Sequence, residues 1–217
     1  MSETKTPTAQ ARTWSGAFGR EYTDRNAATP NDMNRLYLTT YGKSRTEMNI
    51  DFLNDLDRKA RILEVGANVG TQLHLLQQLG FMNLHGIELQ EYAVEIARRV
   101  RPGINIVQGN AFNIPFETDE FDLVFTSGVL IHIAPADHDK VMDEMTRCSR
   151  KYIWGFEYYA PELTAVNYRG HEDLLWKADF ASRFCQRHPE LNIVKAEHYP
   201  YLNQPELVDC MYLLEKR

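Results

Sequence analysis

The run Arg-Ile-Leu-Glu-Val-Gly-Ala-Asn-Val-Gly at residues 61–70 has the pattern of a buried strand that ends in a glycine turn. We predict the strand over residues 61–65 and a helix over residues 69–79. Gly66 can turn the backbone sharply and let it approach a ligand closely, because glycine has no side chain. The N-terminus of the following helix offers free N–H groups to an anion. An ordinary tight strand–helix turn would carry the same residues without a ligand.

The glycine spacing distinguishes this turn from that of the dinucleotide enzymes. Gly66, Asn68 and Gly70 form Gly-x-Asn-x-Gly, and the third glycine of the dinucleotide motif G-x-G-x-x-G would fall at Thr71. Asn68 stands where a glycine is usual, and asparagine tolerates left-handed backbone better than most residues. The spacing therefore argues against a nicotinamide-dependent oxidoreductase.

Strand and helix patterns alternate along the rest of the chain. Further strands are predicted at residues 84–88, 104–108, 121–126, 151–156, 191–199 and 207–215, and helices at residues 91–100, 137–148 and 171–187. One or two helices over residues 35–56 precede this core. Such alternation predicts an α/β fold with a mostly parallel sheet and helices on both faces. In such sheets ligands bind at the carboxyl ends of the strands.

Composition places the chain among ordinary globular proteins. Its 217 residues are 43% hydrophobic and 25% charged, with a formal net charge of −6. No apolar run approaches the roughly 20 residues of a membrane helix, and the start lacks a signal-peptide core, so we expect a cytoplasmic protein without a membrane partner. No long basic run is present, which disfavours nucleic acid as a partner. The three cysteines (Cys148, Cys185 and Cys210) lack zinc spacing, so no metal site is expected.

Polar residues follow the other predicted strands. Glu88 lies 24 residues after Glu64, near the distance expected of an acid that grips ribose hydroxyls, although a solvated acid would fit as well. Asn110 with the N–H of Ala111 could read an adenine edge, or could simply close a local turn. His132 could be a general base or a packed histidine.

Four ordered motifs resemble those of class I S-adenosylmethionine-dependent methyltransferases. They are EVGANVG at residues 64–70, GIEL at 86–89, GNAFNIPF at 109–116 and FDLVFTSGVLIHI at 121–133. The resemblance covers roughly residues 60–157. It implies a Rossmann-like three-layer sandwich, a seven-stranded sheet whose last strand is antiparallel, and S-adenosyl-L-methionine as the cofactor. Departures from the class pattern are Asn68, where glycine is usual, and Asn110, where aspartate is commoner.

The resemblance also implies roles for individual residues. Glu64, Gly66 and Gly70 would surround the methionine part of the cofactor, Glu88 would hold the ribose, and Ser127 would lie near the sulfonium. The full set of expected cofactor-binding residues is Tyr22, Asn26, Glu64, Gly66, Asn68, Gly70, Glu88, Leu89, Asn110, Ala111 and Ser127.

A narrower resemblance lies outside these motifs. WSGAFG at residues 14–19, YTDRN at 22–26 and YRGHEDLLWKADF at 168–180 are similar to the methylases associated with pseudaminic acid biosynthesis. It implies sugar modification, with a nonulosonic acid or a nucleotide sugar as the acceptor. Residues suited to such an acceptor are Tyr158, Tyr168, Arg169 and Trp176, because arginine grips carboxylates and aromatic rings cover sugars.

The flanking segment completes the predicted organisation. Residues 1–13 are expected to be disordered, residues 14–58 to form a helical lid, and residues 59–217 to form the methyltransferase domain. Trp14, Phe18 and Tyr22 are spaced to share one helix face, which would either dock on the core or cover the cofactor.

The predicted function is methyl transfer to a small polar acceptor by a monomer or homodimer. An oxygen or nitrogen acceptor also loses a proton, so a base helps. Candidate bases are His132, His171 and Glu157. The alternative is a non-catalytic cofactor-binding module that acts through a partner.

Overall fold

The computed structural model describes residues 9–26, 29–168, 170 and 173–217. Its strands are β1 Arg61–Val65, β2 Asn83–Glu88, β3 Asn105–Gln108, β4 Phe121–Ser127, β5 Ser149–Tyr158, β6 Thr164–Ala165, β7 Trp176–Lys177, β8 Leu191–Pro200 and β9 Val208–Lys216. Its helices are α1 Ala9–Ser15, α2 Ala17–Asn26, α3 Pro30–Tyr41, α4 Arg45–Leu53, α5 Thr71–Gln78, α6 Glu91–Val100, α7 His138–Cys148 and α8 Phe180–Arg187.

Seven of the strands form one sheet in the order β3-β2-β1-β4-β5-β9-β8. The pairs from β3 to β5 are parallel, and β9 is antiparallel to both of its neighbours, β5 and β8. This is the predicted Rossmann-like sheet with its last strand antiparallel, so the expected fold class is confirmed. The short strands β6 and β7 form a separate pair.

The central strands of the sheet are buried on both faces, and β1 shows how the sequence achieves this. Successive residues of a strand point to opposite faces. Ile62 packs into an apolar cluster that includes residues of α4, α5 and α6, whereas Leu63 packs into the cluster that includes residues of α7 and α8. The near-continuous apolar run of β1 is what a strand with helices on both faces requires.

The helix predicted over residues 171–187 is wrong in its first half. Helix α8 begins at Phe180, and Trp176–Lys177 is strand β7, paired with β6. The Asp179 side chain accepts a hydrogen bond from the Ser182 backbone N–H at 2.9 Å, so the N-cap stands at Asp179. His171 lies outside the described residues.

The expectation of one continuous helix through Trp14, Phe18 and Tyr22 is also wrong. A bend at Gly16 separates α1 from α2, and the Gln90 side-chain amide donates to the carbonyls of Trp14 and Gly16 at 3.0 and 2.9 Å. The three rings still meet, with centroids 5.1 Å (Trp14–Phe18) and 5.2 Å (Trp14–Tyr22) apart.

The predicted domain boundary at residue 14 falls inside an ordered segment. Helix α1 starts at Ala9, within the stretch that we expected to be disordered, and residues 1–8 lie outside the described residues. The segment expected to act as a lid, residues 14–58, contains α2, α3 and α4. The structure describes this segment except for residues 27 and 28.

A substitution at Gly155 in β5 can test how tightly the side chains of β9 pack against it. A Cβ at residue 155 would lie 2.2 Å from Cζ of the Tyr212 ring, which is itself fully buried. We expect Gly155→Ala to lower the free energy of unfolding by about 3 kcal/mol, because the ring has no room to move. The matched variant Gly16→Ala meets nothing closer than the Arg12 carbonyl oxygen at 3.2 Å. Urea unfolding measures both, and equal losses would contradict the packing argument.

Candidate active site

A cleft of about 880 Å³ opens at the carboxyl ends of the parallel strands. Its floor contains residues that follow β1, β2, β3 and β4, and helices α1, α2 and α3 contribute the opposite wall. Residues 66–68, 88–89, 109–111 and 127–129 all line it. The structure therefore brings together the strand ends that the sequence singled out.

The turn after β1 has the shape that its glycines permit. Gly66 has φ +79° and donates its N–H to the Ile87 carbonyl at 2.9 Å, and a Cβ there would lie 2.6 Å from Val129 Cγ2. Asn68 takes a left-handed φ of +47°. Gly66 and Asn68 line the cleft. Gly70, at φ +71°, is not among the residues that line the cleft. It is the N-cap residue of α5, and a Cβ there would lie 2.6 Å from Ile106 Cδ1.

The Glu88 carboxylate accepts hydrogen bonds from two backbone segments, the turn after β1 and the residue that precedes α6. Its Oε2 accepts from the Asn68 N–H at 2.9 Å, and its Oε1 accepts from the Gln90 N–H at 2.8 Å. Burial raises the pKa of Glu88 above its usual value, against these hydrogen bonds. A carboxylate has about four lone-pair sites, so it can accept further donors from a ligand. Leu89 lines the cleft beside it.

Glu64 is almost completely buried, and its Oε2 has no hydrogen-bond partner among the described residues. The Asn68 Oδ1 is a second buried oxygen of this kind. Burial raises the pKa of Glu64 well above its usual value, and the nearby Arg45 charge lowers it in part. Both residues line the cleft, so two buried acceptors stand where a donor from a ligand would satisfy them.

Arg45 connects the helical segment to the floor of the cleft, and the sequence had not singled it out. It is fully buried, and its Nε donates to Asn49 Oδ1 at 3.1 Å and to Gln72 Oε1 at 3.2 Å. Its Nη2 donates to the Ser127 hydroxyl at 3.2 Å, and its Nη1 to the Tyr37 hydroxyl at 3.3 Å. Nothing in the local sequence of α4 marks this arginine as buried.

Asn110 and Ala111 lie in the cleft after β3. The Asn110 Oδ1 accepts from the Phe112 N–H at 2.9 Å, so this side chain closes its own turn. An amide has a second lone pair and two N–H donors besides. The local turn and a contact to a ligand are therefore compatible at this residue.

The His132 ring is in contact with three aromatic side chains. Its ring centroid is 4.7 Å from that of Trp14, 5.4 Å from Tyr168 and 6.2 Å from Tyr22. Its Nδ1 is 2.8 Å from the Leu174 carbonyl, so Nδ1 carries the proton and Nε2 is the acceptor. Burial lowers the pKa of His132 to about 4, and the ring is neutral near pH 7.

Glu157 lies behind the cleft. Its oxygens accept from the Val129 N–H at 3.2 Å and the Ile131 N–H at 3.4 Å, so it holds the loop that carries His132. It is 1% exposed, and burial raises its pKa to about 7. Glu157 is not among the residues that line the cleft. This geometry makes it a positioning residue for the loop.

The remaining predicted residues fall into three groups. Tyr22, Asn26, Ser127, Tyr158 and Tyr168 line the cleft, and the Asn26 amide donates to the Tyr22 carbonyl at 2.8 Å. Trp176 is buried in β7 and is not among the lining residues. Arg169 and His171 lie outside the described residues.

The far end of the cleft holds Asp209, which sequence analysis missed. It lies near the start of β9, paired across the sheet with Tyr158 of β5. Its Oδ2 accepts from the hydroxyls of Tyr41 and Tyr201, the latter at 3.2 Å. Because β9 is reversed, its amino end reaches the edge where the parallel strands end. No local motif marks Asp209, since its position depends on the pairing of β9.

Comparisons with known proteins agree with this geometry. Residues 63–152 match a family model described as a methyltransferase domain. The phthiotriol/phenolphthiotriol dimycocerosates methyltransferase of Mycobacterium leprae is 28% identical over 157 residues, which cover 71% of this chain and 52% of that protein. The chain thus spans about half the length of this curated relative.

Two solved structures share the fold over nearly the whole chain. The 1,6-didemethyltoxoflavin-N1-methyltransferase of Burkholderia thailandensis, with bound S-adenosylhomocysteine, has a TM-score of 0.72 and 15% identity and covers 100% of this chain and 92% of its own. The magnesium protoporphyrin IX methyltransferase of Synechocystis PCC 6803 has a TM-score of 0.69 and 12% identity and covers 95% of this chain and 98% of its own.

The fold and the matched domain confirm the resemblance to the class I S-adenosylmethionine-dependent methyltransferases. S-adenosyl-L-methionine, the predicted cofactor, is the cofactor of that class. The narrower resemblance to methylases associated with pseudaminic acid biosynthesis stays a prediction. None of the described helices is long and apolar enough to cross a membrane.

The raised pKa of Glu157 predicts a pH-dependent cost to stability. A carboxyl whose pKa is about 7 when folded and about 4.5 when unfolded binds more protons in the folded state, so stability falls as pH rises between these values. Relative to Glu157→Gln, the wild type should lose about 2–3 kcal/mol of unfolding free energy between about pH 5 and about pH 8.

The control variant is Glu144→Gln. The hydrogen bond from Arg147 lowers the pKa of Glu144 in the folded state. The Glu144 carboxylate therefore stabilises the fold at pH values above its unfolded pKa, and this stabilisation is lost only as pH falls through its folded pKa. Its difference from wild type should stay flat over the same pH interval. Denaturant unfolding at each pH gives both differences, and parallel curves for wild type and Glu157→Gln would contradict the assigned shift.

Proposed function

We propose that this chain transfers the methyl group of S-adenosylmethionine to a small polar acceptor. The observation that carries the proposal is the pair of buried, unpartnered oxygens on Glu64 and Asn68, which flank Gly66 in the cleft. The ammonium of an amino acid is a donor of the kind these acceptors lack. The residues present therefore fit the cofactor of the class.

Each part of the cofactor has a candidate contact in the cleft. Glu64 and Asn68 would hold the methionine part, Glu88 with Leu89 the ribose, and Asn110 with Ala111 the adenine. When bound, S-adenosylmethionine supplies an electrophilic methyl group on its sulfonium. The chain's own residues then have to orient the acceptor in line with that methyl group and exclude water, which can supply much of the barrier reduction.

The aromatic wall supports the part of the proposal that concerns the acceptor. Tyr22, Tyr158 and Tyr168 line the cleft, and tyrosine combines an apolar ring with a polar hydroxyl, which suits a small polar molecule with an apolar face. From the narrower resemblance we further propose a nonulosonic acid or a nucleotide sugar, in a role of sugar modification.

The charge of the cleft limits how such an acceptor binds. The acidic residues that line it are Asp32, Glu64, Glu88 and Asp209, and Arg25 is the arginine among the described lining residues. An acidic acceptor would therefore rely on Arg25 or Arg169 for its carboxylate. A cytoplasmic location, the absence of a nucleic-acid partner, and a monomer or homodimer as the working form are parts of the same proposal.

Calorimetric titration with S-adenosylhomocysteine tests the cofactor site. We expect micromolar binding to wild type, and at least tenfold weaker binding to Glu88→Ala, about 1.4 kcal/mol, because the ribose contact is lost. Glu95→Ala, on the exposed face of α6, should bind as wild type does. No binding to wild type would refute the proposed function.

A turnover assay then tests the reaction. Release of S-adenosylhomocysteine is followed with a panel of sugar acids, nucleotide sugars, neutral sugars, phenols and amines. We expect turnover with one of these classes. Tight binding of S-adenosylhomocysteine together with no turnover on any acceptor would favour the non-catalytic module that acts through a partner.

A further inference from the structure

The end of the cleft opposite the adenine contacts contains a hydrogen-bonded group of tyrosines around one carboxylate. Asp209 is only 2% exposed, yet it lines the cleft. Its Oδ2 accepts from Tyr41 of α3 and from Tyr201, which follows β8. Tyr158 of β5 also lines the cleft and is paired across the sheet with Asp209. Two hydroxyls of the cleft wall, those of Tyr41 and Tyr201, therefore donate to the carboxylate.

This group is close to the strand end expected to face the sulfonium. The Arg45 guanidinium donates both to Ser127 at the end of β4 and to the Tyr37 hydroxyl. The Tyr37 ring centroid is 5.2 Å from that of Tyr41, one turn further along α3. Three side chains, those of Arg45, Tyr37 and Tyr41, thus connect Ser127 to Asp209, on the side of the cleft formed by β5 and β9.

We infer that Asp209 is the general base for the acceptor, which presents an O–H or N–H group to this carboxylate directly or through the hydroxyl of Tyr201. The inference rests on the proposed function. In the step, the X–H bond of the acceptor breaks and its proton goes to Asp209. The acceptor's electron pair forms the new bond to the methyl carbon, and the electron pair of the broken C–S bond stays on sulfur. Asp209 later returns the proton to water.

The electrostatic surroundings suit this role. Burial raises the pKa of Asp209 to about 6, while the hydrogen bonds from Tyr41 and Tyr201 and the charges of Lys177 and Arg45 lower it. The other titratable groups that face it are Tyr37, Tyr158 and, on its own strand, Cys210. The carboxylate is therefore ionised near pH 7 and more basic than an exposed aspartate, which favours proton transfer.

The other described candidates fit the role less well. Burial lowers the pKa of His132 to about 4, which makes it a weak base, and its ring is held among Trp14, Tyr22 and Tyr168. Glu157 uses both oxygens to hold the loop after β4 and is not among the lining residues. Asp209 combines access to the cleft with a suitable basicity.

Asp209→Asn tests the inference on the acceptor that gives the highest turnover in the panel described above. An amide can still accept from Tyr41 and Tyr201 but cannot take up the proton. We expect kcat to fall about 10²-fold, with KM for the acceptor and the Kd for S-adenosylhomocysteine within about threefold of wild type. Asp143→Asn, at a partly exposed aspartate of α7 that pairs with Arg187 of α8 and is not among the residues lining the cleft, should leave turnover unchanged.

The pH profile gives a second readout that a merely structural role would not move. In wild type, kcat/KM should rise with pH through a single ionisation near pH 6. We call this rise the acidic limb of the profile, and Asp209→Asn should lack it. Tyr41→Phe removes a donor to the carboxylate, so the limb should move to higher pH. If Asp209→Asn fails to fold, as judged by its melting curve, Tyr41→Phe still decides the matter.

The outcomes separate the two hypotheses. The assignment of Asp209 is overturned if Asp209→Asn turns over as fast as wild type, or if the acidic limb of Tyr41→Phe lies at the same pH as in wild type. Neither outcome affects the proposed function. Failure of wild type to bind S-adenosylhomocysteine overturns the proposed function itself. Binding without turnover on the whole panel rejects a transfer step, and with it any base.

Discussion

The buried guanidinium of Arg45 is the interaction that joins the two halves of this structure. A fully buried charge is costly unless hydrogen bonds satisfy its donors, and here the partners come from α3, α4, α5 and the end of β4. The guanidinium also lies 4.5 Å from the centroid of the Phe156 ring in β5. Arg45 therefore links the helices that precede the sheet to the floor of the cleft, and the Tyr41–Asp209 hydrogen bond is a second link on the β9 side.

The carboxyl groups around this point share one physical condition. Glu64, Glu88, Glu157 and Asp209 are all buried enough that desolvation is the largest influence on their pKa values, and it raises each of them. The arrangement opposes the stability of the ligand-free fold near neutral pH. Carboxylates that are costly to bury and incompletely partnered are typical of functional sites, and a ligand that supplies donors or positive charge would relieve part of the cost.

Much of the cleft floor could be predicted because its signals are local. A strand that runs into Gly66 and a left-handed Asn68 produces the same turn wherever it occurs, and parallel strands end at one edge. Glu64, Glu88, Asn110 and Ser127 consequently lie in one cleft, as their strand-end positions indicated. The helix predicted over residues 171–187 failed because its apolar spacing also fits a buried extended segment, and the cap at Asp179 decides where the helix begins.

The sequence by itself determined the strands and helices between residues 61 and 156, the glycine turn after β1, and the polar residues at the strand ends, because these depend on neighbours only a few positions apart. Only the tertiary structure decided that Arg45 is buried, that Glu157 points behind the cleft, and that Asp209 meets Tyr41 and Tyr201. These contacts join residues up to 168 positions apart. They follow from the insertion of β9 between β5 and β8 and from the docking of α3 and α4, and no local pattern encodes either.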